Sequence, residues 1–173
     1  YAQGAYTGEI STKILKDIYC KFCVIGHSER RTLFGDNDEI VSQKAIRCIE
    51  ENIIPILCIG ESLEQKNNNE TKKVLTNQIT KSIPKEASKH NLILAYEPIW
   101  SIGTGHTPTQ KEISEIHAFI KKEIPQSEDF RLLYGGSVKS TNSKELLCID
   151  GVDGLLIGGA SLEINEFNKI LLF

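Results

Sequence analysis

Short apolar runs alternate with amphipathic stretches along the 173-residue chain. Five runs are apolar at nearly every position, which is typical of strands buried on both faces of a sheet. They cover residues 22–25, 54–59, 92–96, 131–134 and 154–157. The stretches between them place apolar residues three or four positions apart, which predicts amphipathic helices. Regular alternation of strand and helix indicates parallel strands joined by right-handed crossovers.

Capping residues predict where the helices begin and end. Asp36, with Glu39 three residues later, is expected to cap the first long helix. Pro84 should end the second, and Thr107 followed by Pro108 should open the third. The apolar faces expected for these helices are Val41, Ala45, Cys48 and Ile49; Val74, Leu75, Ile79 and Ile83; and Ile113, Ile116, Phe119 and Ile120. Shorter helices are predicted over 11–18, 143–147 and 165–172, and a polar loop over 67–69.

Two parallel α/β architectures fit this pattern, a doubly wound open sheet and a TIM (β/α)8 barrel. Polar or glycine-rich loops follow all five strands, as expected where barrel chemistry lies at the C-terminal face. Eight units usually need about 250 residues, and five units are found. The chain has no Met and begins at Tyr1, which suggests a processed or truncated N-terminus. We therefore expect residues 1–173 to form a single domain, an N-terminally truncated TIM barrel that contains the last five β/α units.

Composition excludes several classes of function. The net charge of −3 and the pI of about 5.9 argue against binding to nucleic acid or to an anionic membrane. No apolar run approaches the roughly 20 residues of a membrane span. Five scattered cysteines, an odd number, favour reduced thiols and a cytoplasmic location.

Glu97 stands at the C-terminal end of the predicted strand 92–96, at the start of a segment with the features of a lid. Pro98 fixes one backbone angle, and Gly103 and Gly105 free the backbone at the far end. The lid residues are Pro98, Ile99, Trp100, Ser101, Ile102, Gly103, Thr104 and Gly105, and they include the only Trp of the chain. A carboxylate beneath such an apolar segment suggests a general base in a dry pocket. The alternative is an exposed glutamate followed by an ordinary loop.

Other strand ends carry a histidine and two glycine-rich turns. His27 follows the first strand where a helix begins, and a helix N-terminus disfavours an imidazolium, so a neutral hydrogen-bond donor is expected. The alternative is a structural histidine that caps its own loop. The turns at 134–138 and 158–162 lie at neighbouring strand ends, where backbone N–H groups could bind one phosphate. Each turn alone could equally be a tight turn without a ligand.

Some patterns look functional but are discounted. Cys20 and Cys23 have metal-like spacing, but no second pair completes four ligands. Gly103-Thr104-Gly105 lacks the third glycine of a dinucleotide-binding motif. Cys58 is expected to be a packed thiol. The histidines expected at the surface are His90, His106 and His117.

In chain order, six motifs strongly resemble the triosephosphate isomerase family. They are Gly-His-Ser-Glu-Arg-Arg at 26–31, Cys-Ile-Gly-Glu at 58–61, Ala-Tyr-Glu-Pro-Ile-Trp at 95–100, Gly-Thr-Gly at 103–105, Tyr-Gly-Gly-Ser-Val at 134–138 and Gly-Gly-Ala-Ser-Leu at 158–162. The match runs from about Gly4 to the C-terminus. The first and third motifs are highly specific to that family.

This resemblance implies a glycolytic and gluconeogenic isomerase that interconverts dihydroxyacetone phosphate and D-glyceraldehyde 3-phosphate through an enediolate. It implies no cofactor and no metal, and it implies a cytoplasmic homodimer. Glu97 would be the base, and neutral His27 would polarise the substrate carbonyl. The groups implied to hold the phosphate are Gly103, Ser137, Gly158 and Gly159.

The resemblance also implies supporting roles for four further residues. Ser28 would hold Glu97 in the open state, and Glu29 would support the same site. Trp100 would carry the lid. Thr7, in a loop that resembles the family's dimer loop, would reach into the active site of the partner subunit.

One departure from the family concerns charge. The Asn-x-Lys motif of the family's first strand, which supplies the ammonium facing the substrate, is on none of the five predicted strands. We therefore expect the chain alone to have little or no activity. Two other hypotheses remain, another phosphate-binding barrel enzyme (an epimerase or lyase) and a non-enzymatic remnant of a decayed gene.

Overall fold

The computed structural model describes residues 2–104, 106–124 and 130–172. Within these residues, five parallel strands form one sheet in chain order. They are β1 Phe22–Ile25, β2 Ile54–Ile59, β3 Ile93–Tyr96, β4 Leu132–Tyr134 and β5 Gly154–Leu155. The prediction of five parallel strands is confirmed, although β5 ends two residues earlier than expected.

The register aligns the C-terminal ends of the strands. Ile59 pairs with Tyr96, and Tyr96 pairs with Tyr134 at the end of β4. Tyr134 in turn pairs with Leu155 at the end of β5. Parallel strands in this register bring the loops that follow them to one rim of the sheet, where sites of parallel α/β folds usually lie.

Helices connect the strands and pack on the sheet. They are α1 Thr12–Asp17, α2 Ser28–Phe34, α3 Asp38–Glu50, α4 Leu63–Asn67, α5 Thr71–Ser82, α6 Gln110–Glu123, α7 Ser143–Leu147 and α8 Ile164–Leu171. Their buried apolar residues join the sheet in one core that includes Val41, Leu75, Ile79, Ile113 and Ile120. The predicted apolar faces are therefore confirmed at these positions. No helix in the described residues combines the length and apolar character that crossing a bilayer requires.

The predicted cap of α3 was wrong by one residue. Asn37, not Asp36, is the N-cap, and its side chain accepts a hydrogen bond from the backbone N–H of Ile40 at 2.8 Å. Asp36 is buried and binds Arg30 and Lys44 instead. Burial disfavours its charge, but these two cations outweigh that effect and lower the pKa of Asp36. Local spacing suits both residues, but Arg30 and Lys44, six and eight residues away, bind the Asp36 carboxylate, and Asn37 caps α3.

Two other helix boundaries differ from the prediction. Thr109 rather than Thr107 caps α6, and Glu112 completes its capping box. The structure also contains α4, whose last residue, Asn67, begins the expected polar loop. Ser62 and Gln65 form a capping box for α4 that the sequence analysis overlooked.

His117 is buried, so the prediction of a surface position was wrong. It lies four residues after Ile113 and three before Ile120, on the same inward face of α6. Its Nδ1 is 2.9 Å from the carbonyl oxygen of Gly151, and its ring packs edge-on against Tyr96. Burial lowers the pKa of His117. His90 and His106 are exposed, as predicted.

The sheet is open within the described residues, because β1 and β5 each pair with one neighbour. On β1, Phe22 and Val24 are 51% and 44% exposed. Apolar side chains on an edge strand are a liability in water, since an unpaired edge favours association with another strand.

Candidate active site

Glu97 lies immediately after β3 and is held by its backbone. Its N–H donates to the carbonyl oxygen of Ile59 at 2.8 Å. Gly60 lies against the main chain of Glu97 so closely that a Cβ at position 60 would overlap the Glu97 carbonyl. Glycine is therefore required there for steric reasons. The residue Glu97 is 2% exposed. It is therefore not the exposed glutamate that the sequence left open as the alternative.

His27 lies between β1 and α2 and is the N-cap residue of that helix. Its Nδ1 accepts a hydrogen bond from the backbone N–H of Glu29 at 3.3 Å. A ring nitrogen that accepts carries no proton, so the proton of this imidazole is on Nε2. Nε2 lies 3.3 Å from Oε1 of Glu97. The histidine thus caps its helix and also presents an N–H toward the carboxylate, which combines the two roles considered for it.

The surroundings of Glu97 favour its protonated form. Burial raises its pKa above the ordinary 4.5, and this exceeds the lowering by nearby His27 and by donors. The donors are the thiol of Cys58 and the backbone N–H of Ser28. Cys58 is fully buried and burial raises its own pKa, so it is a packed thiol as predicted. Ser28 contacts Glu97 through its backbone N–H, and its role in holding Glu97 in the open state stays a prediction.

A cavity of about 690 Å³ opens at this rim of the sheet. Its lining brings together His27, Glu29, Glu97, Ile102, Gly103, Ser137, Gly158 and Gly159 from the predicted site. Other residues that line it include Gly135, Gly136, Lys139, Leu156 and Glu166. The cavity is large enough for a small phosphorylated metabolite, since ligand pockets usually measure about 300–1,000 Å³.

The two glycine-rich turns, 134–138 and 158–162, both contribute to the lining of this cavity. Gly135 N–H donates to the Tyr96 carbonyl at 2.8 Å, which ties the first turn to β3. The second turn runs into a 3-10 helix over Gly159–Leu162. Gly158 and Gly159 are exposed and have open space where a side chain would stand. Such a surface lets a ligand approach the backbone amides directly.

The lid contacts both the strand end and the first turn. Residues Ile99–Ser101 form a 3-10 helix, and Gly103 has a left-handed φ of 68°. Ser101 Oγ donates to the His106 carbonyl at 2.6 Å and accepts from the Ser137 N–H at 3.4 Å. Pro98 is buried, whereas Thr104 is exposed. Gly105 lies outside the described residues.

Glu61 and Gly135 were not singled out as site residues. Glu61 is 1% exposed, and it accepts hydrogen bonds from Trp100 Nε1 at 2.8 Å and from the Tyr96 hydroxyl at 3.2 Å. Its position two residues after the buried strand β2, close to the end of that strand, was a usable signal. Gly135 lies so close to Glu97 that an added Cβ would be 2.8 Å from its Cγ. No local pattern predicts this contact.

Thr7 does not belong to this cavity. It is exposed in the segment before α1. Its predicted partner is another subunit, so its role stays a prediction.

Comparison with known proteins agrees with this geometry. A family model described as triosephosphate isomerase matches residues 1–173. The chain belongs to the triosephosphate isomerase family. Curated triosephosphate isomerases include those of Nitrosococcus oceani, 45% identical over 96% of this chain, and Alkaliphilus oremlandii, 46% identical over 98%. The chain spans 70% and 72% of the length of these relatives.

A solved triosephosphate isomerase has the same fold. The crystal structure of the Bartonella henselae enzyme matches with a TM-score of 0.91 and 40% identity. The match covers 99% of this chain and 71% of that chain. Of the two parallel architectures considered, the TIM barrel is therefore the one to which these five β/α units belong. The hypothesis of a different phosphate-binding barrel enzyme is set aside by the family assignment.

Proposed function

We propose that this cavity is the site at which a triose phosphate isomerises, with Glu97 as the base and His27 as the electrophile. The single observation that supports it best is the distance of 3.3 Å between His27 Nε2 and Glu97 Oε1 at the wall of one cavity. Both groups can then contact neighbouring atoms of one small substrate. The substrates are dihydroxyacetone phosphate and D-glyceraldehyde 3-phosphate.

Glu97 transfers the proton. Its carboxylate removes a proton from the carbon next to the substrate carbonyl, and the C–H electrons form the double bond of an enediolate. The hydroxyl proton on the first carbon's oxygen passes to the former carbonyl oxygen, and the same carboxyl returns its proton to the neighbouring carbon, so that the carbonyl and the hydroxyl exchange places. Burial raises the pKa of Glu97, which makes its carboxylate a stronger base than an exposed glutamate. A positioned base typically contributes about 10²–10⁴ in rate.

His27 stabilises the charge that develops on oxygen. Nε2 carries the proton because Nδ1 accepts from the Glu29 N–H. The neutral N–H donates a hydrogen bond to the carbonyl oxygen as it becomes an enediolate oxygen.

The glycine-rich turns and the lid hold the phosphate. Gly158 and Gly159 line the cavity together with Ser137 from the first turn, and their backbone N–H groups would bind the phosphate there. Gly103 adds its N–H when the lid closes. Closure excludes water, and it also suppresses loss of phosphate from the enediolate, a side reaction of the exposed intermediate.

The test is a coupled isomerisation assay on two proteins. The 173-residue chain alone should show little turnover, because the sheet is open within the described residues and the family's Asn-x-Lys motif is on none of its five strands. A fusion that places the N-terminal segment of the Nitrosococcus oceani relative before Ala2 should show substantial turnover. In this fusion, Glu97→Asp moves the carboxylate back by about 1 Å and should lower kcat about 10²-fold, with little change in KM.

Two results would count against the proposal, and a third would contradict the expected inactivity of the chain alone. A folded fusion without turnover would support the non-enzymatic alternative. Unchanged turnover in Glu97→Asp would remove Glu97 from the role of base. Substantial turnover by the chain alone would show that five strands are enough.

We also propose a cytoplasmic homodimer in which Thr7 enters the partner's active site. The exposed position of Thr7 supports this. Light scattering on the fusion should give twice the monomer mass, and Thr7→Arg should shift it toward the monomer. A monomeric fusion with full turnover would contradict this part.

A further inference from the structure

Gln78 binds both backbone groups of a single residue, Gly60. Its Oε1 accepts from the Gly60 N–H at 2.8 Å, and its Nε2 donates to the Gly60 carbonyl oxygen at 3.1 Å. Gln78 lies in α5, three residues after buried Leu75 and four before buried Ser82, so it is on the side of the helix that packs inward. The side-chain amide therefore pairs with Gly60 as the backbone of a neighbouring strand would.

The hydrogen bonds of the residues on either side show which way Gly60 faces. The carbonyl oxygen of Ile59 accepts from the Glu97 N–H at 2.8 Å, and that of Glu61 accepts from the Ile99 N–H at 3.1 Å. Along a strand with parallel neighbours, alternate residues direct their backbone groups to opposite sides. Gly60, between these two residues, therefore directs its groups away from β3.

β1 lies on that other side of β2 but ends too early to reach Gly60. Its last residue, Ile25, pairs with Leu57. Gly60 is buried, and buried backbone N–H and carbonyl groups cost free energy when they are unpaired. Gln78 supplies the two hydrogen bonds that a longer β1 would have supplied, so the extended chain can continue beyond β2 alongside Glu97.

Gly60 is in turn packed against the main chain of Glu97. A Cβ at position 60 would overlap the Glu97 carbonyl oxygen and would lie 3.4 Å from the Glu97 Cα. With so little space between the two residues, a shift of Gly60 also shifts Glu97. The separation of 3.3 Å between Glu97 Oε1 and His27 Nε2 then changes as well.

We propose that Gln78 is a positioning residue for Glu97, which acts by holding the Gly60 backbone against the main chain of Glu97. The expected loss of rate rests on the proposed function, whereas the two hydrogen bonds do not. Without the amide, Gly60 loses both partners, and the chain over 59–61 is free to shift. The carboxylate then leaves its productive position, although the groups proposed to bind the phosphate are unaltered.

Steady-state kinetics of the fusion test this role. Gln78→Met keeps the length of the side chain and removes both hydrogen bonds. It should lower kcat about tenfold, since a misplacement of about 1 Å can cost about 10²-fold, and should change KM much less. Gln43→Met is the matched control, because Gln43 is an exposed residue of α3, and it should leave both constants unchanged. An unchanged kcat in folded Gln78→Met would overturn the proposal.

Amide hydrogen exchange of the 173-residue chain, followed by NMR, tests the same role without substrate. In Gln78→Met, the N–H groups of Glu97 and Ile99 should exchange about tenfold faster, which is the effect of losing about one hydrogen bond. The Leu94 N–H, which donates to the Arg131 carbonyl at 3.0 Å, is the internal reference and should not change. Unchanged exchange at Glu97, or an equal acceleration at Leu94, would contradict a specific role for Gln78.

If Gln78→Met does not fold, Gln78→Asn is the second variant. It keeps an amide but is one methylene group shorter, so it cannot reach both groups of Gly60. It should show the same loss of kcat and the same local exchange, and full turnover with unchanged exchange would overturn the proposal. An inactive fusion would refute the proposed function, and the exchange rates would still decide whether Gln78 holds Glu97.

Discussion

The imidazole Nε2 of His27 and the carboxylate Oε1 of Glu97 lie 3.3 Å apart, although the two residues follow different strands. His27 comes from the end of β1 and Glu97 from the end of β3, with β2 between them. Just after β2, Gly60 leaves room for the Glu97 main chain. The catalytic pair proposed here depends on that register and on that glycine.

His27→Gln in the active fusion should lower kcat about 10²–10³-fold, as loss of one oxyanion donor typically does. The amide cannot place a donor where Nε2–H lies while it also accepts from the Glu29 N–H. KM should change much less than kcat. His90→Gln, at an exposed position, is the control and should retain full turnover. Steady-state kinetics of both variants provide the comparison, and equal kcat values would exclude His27 as the electrophile.

The pH dependence of turnover should reflect the pKa of Glu97. Protonation removes the base, so kcat/KM falls as the pH decreases through this pKa. Because burial raises the pKa of Glu97, the fall should begin at a higher pH than for an ordinary glutamate. Cys58→Ala removes a donor that lowers this pKa, so it should move the acid limb to a still higher pH.

Cys148→Ala is the control for this pH profile, because Cys148 is exposed. The measurement is kcat/KM as a function of pH for the fusion, for Cys58→Ala and for Cys148→Ala. An acid limb that does not move in Cys58→Ala would contradict the assigned hydrogen bond.

Gly135→Ala should damage the site through the position of Glu97. The new Cβ would lie 2.8 Å from Glu97 Cγ, so either the side chain or the turn must move. We expect a loss of stability of about 1–3 kcal/mol from overpacking and a fall in kcat of about 10²-fold from displacement of the base. Urea unfolding and kinetics measure the two effects separately.

Gly158→Ala is the stability control for this experiment, because open space lies beside Gly158. Its unfolding midpoint should match that of the unsubstituted protein. Full turnover in Gly135→Ala would show that Glu97 tolerates the extra methyl group.

Acid should destabilise the fold through His117. Burial lowers its pKa below 6.5, so as the pH falls the unfolded chain binds this proton before the folded chain does. The stabilisation is complete above pH 6.5 and decreases below it, by at most about 1.4 kcal/mol per pH unit for one proton. His117→Gln should therefore be less stable at pH 8 but should lose less stability between pH 7 and pH 5.

Urea unfolding at several pH values tests this behaviour. His90→Gln is the control, since His90 is exposed and should leave the pH dependence unchanged. If His117→Gln keeps the full acid slope, other groups are responsible for it.

Much of the fold follows from local patterns. The runs 22–25 and 54–59 are predicted and observed as strands with the same limits. The strand β2 is mostly buried as expected, whereas β1 at the edge of the sheet exposes Phe22 and Val24. The motif order also identified the family, since Glu97 and His27 lie in segments that are specific to it. These signals are short-range, and each can be recognised without knowing what lies across the sheet.

Long-range partners decided the remaining features. Asp36 and Asn37 are both good caps by sequence, but Arg30 and Lys44 engage the first and leave the second for α3. His117 looked polar and therefore exposed, yet its place on the face of α6 that packs against Tyr96 buries it.

The sequence by itself determined the strands, the family and the two residues proposed as base and electrophile. Only the tertiary structure decided which groups surround the residues of the site. Examples are Gly135, which lies close to the Glu97 side chain, and Lys66, whose ammonium lies over the Trp100 ring. The spacing of apolar residues and the capping of helices depend on residues a few positions apart, so both can be recognised in the sequence. Burial, pKa and contact depend on groups that only the folded chain brings within a few ångströms.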